Sequence, residues 1–449
     1  MTPPPRSGLT EADKDALIVE MHAMIERMGA RIAELESLVG KPRKTSKNSG
    51  VPPSQDRFGR PKKPKRPAKK RPPRPGKSRP LAANPDKTER RMADACGHCG
   101  TDVSGAAQRL RHAYDHIDLP PIRPVVTRVE LFGGRCTCCG RRYRAEAPAG
   151  MAPGTPFGPG IRSLLMYLHH SHHVGFERLS RMMGELFGLA ISEGAIANAA
   201  RRAGGAMDAA RTAIREKLVT ARIIASDETT TRVDGVTCWQ WVFLSDKAVL
   251  HQIAPRRARS VADEVLAGHK PDVWVSDRYA GQQELGKAHQ VCLAHVLRDV
   301  QYAIDCGDTI FAPKIRDHLR WAIRVGRRRS DLKDSTLAAY AAKADARLDD
   351  LVAGPVAHPD GKVLQKQIKA WRTKFFVFMT DRDVPATNNI SEREIRPSVV
   401  FRKVTNGFRS DWGAQIHAGY RSVTGTARLK GTPAFAAIRD LIDGNFAVA

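Results

Sequence analysis

Two stretches decide the fold: Arg222-Ile-Ile-Ala-Ser-Asp227 and, farther along, Val273-Trp-Val-Ser-Asp277. Each is a short apolar run that ends on an aspartate, a pattern typical of strands. Between them, residues 237–246 and 248–255 are two more strand-like runs, and a Val-Asp-Gly turn precedes the first of these. Helical patterns alternate with these runs over residues 260–268 and 289–304. The region from residue 221 is therefore predicted to be a mixed α/β domain.

Asp227 and Asp277 would both lie where strands end, the edge at which α/β sheets gather their sites. Mg²⁺ prefers a few carboxylates together with water and phosphate oxygens. A third acid, Glu392, stands in Thr387-Asn-Asn-Ile-Ser-Glu392-Arg-Glu-Ile-Arg396-Pro397. The alternative reading makes Glu392 a capping residue at the third helical position, with Asn389 as N-cap. The three acids together, in a basic chain, favour a metal site for phosphodiester chemistry.

Glu394 lies two residues after Glu392. On a helix the two side chains point about 200° apart, so both cannot face one metal site. Ile395, three residues after Glu392, indicates that the Glu392 face turns toward the protein. Glu394, next to Arg393 and Arg396, is predicted to be a solvated charge.

The charge of the chain indicates a polyanionic partner. The 449 residues contain 74 Lys and Arg against 47 Asp and Glu, a net charge of +27. Residues 41–80 hold sixteen of these cations and ten prolines with a single acid, which predicts an extended basic linker that binds phosphates. No apolar run suits a membrane span or a secretory signal, so we expect a cytoplasmic, nucleoid-associated protein.

Two C-x2-C pairs, Cys96/Cys99 and Cys136/Cys139, predict a closed zinc site of four thiolates. Each pair is followed by a glycine, as a tight turn around a metal requires. Cys138 and His98 leave the choice of ligands open. The remaining cysteines are expected to be small buried hydrophobic residues; they are Cys238, Cys292 and Cys306.

Residues 10–40 predict one helix with an apolar seam at alternating spacings of three and four. Such a seam over about three heptads favours a coiled coil and therefore self-association. Its members are Ile18, Met21, Ile25, Met28, Ile32, Leu35 and Val39. Residues 157–220 are predicted to be helical; a helix-turn-helix and plain helical packing explain them about equally well.

The order of these motifs resembles the transposases of the insertion sequence 66 family. The resemblance is carried by residues 47–54 (KNSGVPPS), the cysteine pairs, SDETTTRVDG, VSDRYAG, VCLAHVLRD and NNISEREIRPSVVFRK. It implies a ribonuclease H-like catalytic domain whose Asp-Asp-Glu triad is Asp227, Asp277 and Glu392. It also implies a C-x-x-H segment at Cys292 and His295, a helical insertion, and a basic tail. That tail would contact DNA through Arg393, Arg396, Arg402 and Lys403.

The resemblance implies a multidomain α/β transposase that cuts the ends of an element and joins them to target DNA with Mg²⁺ or Mn²⁺. Helper proteins from the same element are further expected partners. Two alternatives remain: a non-catalytic zinc-ribbon DNA-binding protein, and an inactive transposase remnant. The expected domains are 10–40 (coiled coil), 41–91 (disordered basic linker), 92–147 (DNA-binding zinc ribbon), 157–220 (helical), 221–408 (catalytic, with an insertion at about 309–370) and 409–449 (helical).

Overall fold

The computed structural model describes residues 10–39, 41–51, 56, 79–154 and 156–448. The strands are β1 (Gly133–Arg135), β2 (Arg142–Arg144), β3 (Ile223–Val233), β4 (Val236–Leu244), β5 (Val249–Ala254), β6 (Val273–Ser276) and β7 (Ala288–Val291). The helices up to the end of the sheet are α1 (Glu11–Val39), α2 (Pro159–His170), α3 (Phe176–Phe187), α4 (Glu193–Arg201), α5 (Gly204–Leu218) and α6 (Arg259–Leu266). The later helices are α7 (Leu293–Asp305), α8 (Phe311–Arg327), α9 (Asp334–Ala353), α10 (Pro359–Ala370), α11 (Val377–Thr380), α12 (Asn389–Thr405), α13 (Asp411–Leu429) and α14 (Ala434–Ile442).

The chain forms two compact units. Among the described residues, the smaller one contains 79–128 and 182–190. The larger one contains the rest and carries the sheet. Among the helices in the described ranges, none is long and apolar enough to cross a membrane.

The large sheet has five strands in the order β5-β4-β3-β6-β7. β3, β4 and β5 form an antiparallel meander, whereas β6 and β7 run parallel to β3. Asp234 and Gly235 have positive φ in the tight turn between β3 and β4, as the Val-Asp-Gly motif predicts. β3 therefore lies at the centre, with the antiparallel strands on one side of it and the parallel strands on the other.

The helix predicted over residues 289–304 is wrong at its beginning. Residues 288–291 pair with β6 as strand β7, and α7 begins only at Leu293. Gln290 is buried in this strand, where its side chain donates to the carbonyl of Phe375 and accepts from the amide of Phe378 at 3.1 and 3.0 Å. With these hydrogen bonds made, the polar side chain of Gln290 can be buried in a strand. A run of only four residues has too little periodicity to distinguish a strand from the first turn of a helix.

Helices from the interval between Asp277 and Glu392 build the main hydrophobic core against the sheet. Residues 309–370 contain α8, α9 and α10. Fully buried residues of α7 and α8, such as Val296 and Leu319, join strand residues such as Val275 in one apolar cluster. The predicted helical insertion is thus packed into the core that supports the sheet.

Helix α13 covers the edge of the sheet at β5. The amides of Val249 and His251, on the open side of β5, donate to the hydroxyls of Thr426 and Ser422 at 3.0 and 2.8 Å. An uncovered edge would present these amides to other chains. The C-terminal segment therefore completes the sheet.

In the described part of the N-terminal region the helix is α1, on which the described seam residues Ile18, Met21, Ile25 and Met28 are all more than half exposed. After it, the short segment 41–51 lies against the far end of α7. Asn48 is buried there, where its amide donates to Asp305 at 2.9 Å while its oxygen accepts from the Thr45 amide at 2.7 Å. Exposed apolar residues on one helix remain consistent with self-association, which stays a prediction.

Candidate active site

The three predicted acids come from three elements of the larger unit. Asp277 directly follows β6, as expected, and Glu392 lies in the first turn of α12. Asp227 does not end its strand, because β3 continues to Val233. Its position is nevertheless special: the parallel pairing with β6 stops at Ala225, while the pairing with β4 continues. Asp227 therefore lies at the point where the sheet opens.

The structure places these acids in one region of the larger unit, near enough for their charges to act on one another, although their ligand atoms do not form a group within 4.8 Å. The pKa of Asp227 is raised well above its ordinary value, first by burial and then by the negative charges of Glu228, Asp277 and Glu392. Backbone amides orient two of the carboxylates: Glu228 donates to Asp227 at 2.9 Å and Tyr279 donates to Asp277 at 2.8 Å. The result is a concentration of like charge that a bound cation would relieve.

Asn388 holds Glu392 in place. It occupies the N-cap position of α12, but its side chain makes no capping bond and instead donates to the carbonyl of Ser226 on β3 at 2.7 Å. Glu392 is consequently the fourth helical residue, bonded through its amide to the Asn388 carbonyl at 3.2 Å. The capping interpretation of Glu392 is therefore wrong, because the helix begins at Asn389 rather than after it.

Cys292 and His295 face Glu392 from the first turn of α7. One ligand atom from each of the three residues lies within 4.8 Å of the others. The distance from His295 Nδ1 to Glu392 Oε1 is 3.7 Å, and both atoms are buried without a hydrogen-bond partner. Burial raises the pKa of the Cys292 thiol, and burial followed by the charge of Arg298 lowers the pKa of His295. These three residues could hold a metal ion.

A fourth acid, Glu228, was not singled out from the sequence. Its side chain is 1% exposed and is paired with Arg257 and Gln282. Arg257 in turn lies over the ring of Tyr279, with 3.8 Å between guanidinium carbon and ring centroid. Burial and then the charge of Asp277 raise the pKa of Glu228. Its place directly after Asp227 is the one signal that could have revealed it.

Comparison with known families adds a finding that agrees with this geometry. A family model described as Transposase IS66 family matches residues 154–416, more than half of the chain. The chain belongs to this family. The predicted resemblance is thereby confirmed, and all three acids lie inside the match, whereas the cysteine pairs and α1 lie outside it. No curated protein matches the chain.

Within the family match, Glu394 differs from its prediction. It is buried, not solvated, and pairs with Arg421 at 2.9 Å, with Arg428, and with His251 at 3.4 Å. Burial raises the pKa of Glu394, but His251 and the two arginines outweigh that effect and hold the pKa below its usual value. The partners Arg421 and Arg428 come from α13, which a helical-wheel argument about α12 alone could not include.

The basic residues of α12 divide into two groups. Arg393, Arg396 and Lys403 are exposed. Arg402 is half-buried, and its guanidinium donates to the carbonyl and hydroxyl of Thr230 on β3. Arg402 therefore ties α12 to the strand that carries Asp227, while the other three present their charges to solvent.

Each cysteine pair forms the tight turn that its glycine predicts. Gly100 donates to the Cys96 carbonyl at 2.8 Å and Gly140 to the Cys136 carbonyl at 2.9 Å, both with positive φ. Hydrogen bonds from Thr101 lower the pKa of Cys99, and backbone amides of Cys139 and Cys138 lower that of Cys136. The first pair belongs to the smaller unit and the second to the larger. Zinc binding by the four thiolates stays a prediction.

The other cysteines are only partly as predicted. Cys238 and Cys292 are buried, whereas Cys306 is half-buried at the end of α7. Burial raises the pKa of Cys306, and the charge of Asp360 adds to this effect.

Proposed function

We propose that this chain cuts and transfers DNA strands with Asp227, Asp277 and Glu392 as its catalytic acids. A transposase role, and with it DNA binding, follows from the family. The observation that carries the finer proposal is geometric: Asp277 follows the strand β6 that pairs with β3, and the Asn388 side chain joins the start of the Glu392 helix to Ser226, the neighbour of Asp227, at 2.7 Å. Carboxylates gathered in this way in a strongly basic chain are expected to bind divalent cations beside a DNA phosphate.

The topology supports a ribonuclease H-like core. Numbered within the domain, the five strands have the order 3-2-1-4-5, with a three-stranded antiparallel meander and two parallel strands. The first acid lies on the central strand and the second after its parallel neighbour β6. This arrangement supports the ribonuclease H-like catalytic domain that we propose.

The donor set fits Mg²⁺ or Mn²⁺. Three carboxylates offer the hard oxygen ligands that these ions prefer, with positions left for water and phosphate. The like charges of Asp277 and Glu392 around the buried Asp227 are a further feature that an adjacent cation would relieve. Asp227, Asp277 and Glu392 would hold the ions, which stabilise the attacking and leaving oxygens of a phosphoryl transfer when bound.

The chain's own residues supply positioning. The Tyr279 amide fixes the Asp277 carboxylate, and Asn388 fixes the start of α12 on β3. Arg393, Arg396 and Lys403 are exposed on the same helix as Glu392 and are proposed to bind phosphates of the DNA backbone. No serine or tyrosine nucleophile is assigned, because water and a DNA 3′-hydroxyl can serve as the nucleophiles.

The test uses a supercoiled plasmid that carries the DNA flanking the gene, incubated with the full chain and Mg²⁺ or Mn²⁺. We expect metal-dependent nicking that falls by more than about 100-fold in Asp277→Asn. Asp263→Asn is the matched control, since Asp263 is an exposed acid on α6 paired only with Arg259 at 3.5 Å among its described ion pairs. Equal nicking by wild type and Asp277→Asn would refute the assignment. Binding of the plasmid without nicking would favour a non-catalytic DNA-binding protein or an inactive remnant.

A further inference from the structure

The cluster of Cys292, His295 and Glu392 differs in chemistry from the three acids. It combines a sulfur, a nitrogen and an oxygen donor within 4.8 Å of one another. Two of these atoms, His295 Nδ1 and Glu392 Oε1, are buried without hydrogen bonds. An unsatisfied buried polar atom destabilises the fold, so two of them side by side require an explanation.

The three side chains are held in place by their backbone. Cys292 and His295 belong to the start of α7, one turn apart, so that they share a face. The loop before α12 is bonded to the same turn, because the Leu293 amide donates to the Ala386 carbonyl at 3.1 Å. The Asn388 amide donates to Cys292 Sγ, also at 3.1 Å. Hydrogen bonds of this kind to a ligand atom are typical of the second shell of metal sites.

We propose that Cys292, His295 and Glu392 bind one ion of the Zn²⁺ class at a second site, which shares Glu392 with the proposed Mg²⁺ site. Thiolate and imidazole ligands suit Zn²⁺, whereas Mg²⁺ takes oxygen ligands. Three protein ligands leave a fourth position for water or a phosphate oxygen. Binding releases the thiol proton to solvent, because the ligand is the thiolate. Glu392 would give Oε1 to this ion, which would fix the direction of its carboxylate beside Asp227.

The experiment measures metal rather than cleavage, so its outcome is independent of the proposed function. Full-length wild type, Cys292→Ser and Cys306→Ser are loaded with Zn²⁺ under reducing conditions, dialysed and analysed for metal per chain. Cys306→Ser is the matched control, because Cys306 follows the opposite end of α7. We expect Cys292→Ser to hold about one ion less than wild type and the control to equal wild type. Ions held by the other cysteine pairs form a constant background in all three proteins.

Co²⁺ provides a second readout, since a thiolate bound to Co²⁺ absorbs in the near ultraviolet. This band should weaken in Cys292→Ser and persist in Cys306→Ser. His295→Gln, which keeps the thiol, serves if Cys292→Ser fails to fold, and it too should lose one ion. Equal metal content in wild type and in the folded variants would overturn the proposal.

Discussion

Glu392 and Glu394 are two residues apart, yet the structure predicts opposite consequences when each is changed to glutamine. Glu394→Gln removes the charge that compensates Arg421, and the two side chains are only 8% and 5% exposed. Breaking a buried ion pair costs about 3–5 kcal/mol, and because glutamine keeps one acceptor oxygen we expect about 3 kcal/mol. Arg428, 58% exposed, adds less than about 1 kcal/mol.

In a domain of this size 1 kcal/mol corresponds to about 2–4 °C in Tm, so Glu394→Gln should lower Tm by roughly 6–12 °C. Glu392→Gln removes one of the like charges around Asp227, so its Tm should not fall. Nicking should show the reverse: lost in Glu392→Gln and retained in Glu394→Gln below its Tm. Thermal scans and nicking assays on both proteins check this. A Glu394→Gln protein with wild-type Tm would refute the reasoning about the buried pair, and an active Glu392→Gln enzyme would refute the triad.

Three further predictions concern other parts of the chain. Cys99→Ser or Cys139→Ser should release about one zinc ion per chain as measured by metal analysis, whereas Cys138→Ser should not; the reverse pattern would change the ligand choice. Ile18→Asp with Ile25→Asp, both at exposed seam positions, should abolish self-association seen by light scattering; a monomeric wild type would contradict the coiled coil. Burial lowers the pKa of His169 to about 4. His169 therefore stays neutral in the folded state, while in the unfolded state it takes up a proton below about pH 6.5. The stability should fall as the pH is lowered from about 6.5 to about 4. His169→Gln keeps a donor for the Val174 carbonyl, 2.7 Å from His169 Nδ1, and should show a shallower fall of Tm with pH.

Local patterns predicted the parts of the fold that local physics determines. The apolar runs before Asp227 and Asp277 are strands, and the Val-Asp-Gly turn joins two of them. Gly100 and Gly140 close tight turns after the cysteine pairs with positive φ, as their positions predict. Each of these features depends on neighbours within a few residues.

Features that depend on distant partners escaped prediction. The local sequence predicts a solvated Glu394, and only the tertiary structure places Arg421, 27 residues later, against it. The length of β3 beyond Asp227 depends on pairing with β4, and the beginning of α7 on the pairing of β7 with β6. Asp227 and Asp277 could be predicted because they end apolar runs, and Glu392 because its motif resembles that of the family. Their relative placement needed the tertiary structure.

Because α13 follows β5 in the chain, β5 is synthesised before the helix that covers its edge. Val249 is synthesised 177 residues before Thr426, whose hydroxyl accepts a hydrogen bond from the Val249 amide. At about 5–20 residues per second this interval lasts roughly 10–35 s. During that time the edge of the sheet is open to pairing with other nascent chains, and Glu394 lacks its ion pair with Arg421. A chain that ends before α13 would therefore keep this edge of the sheet uncovered, and we expect such a fragment to aggregate.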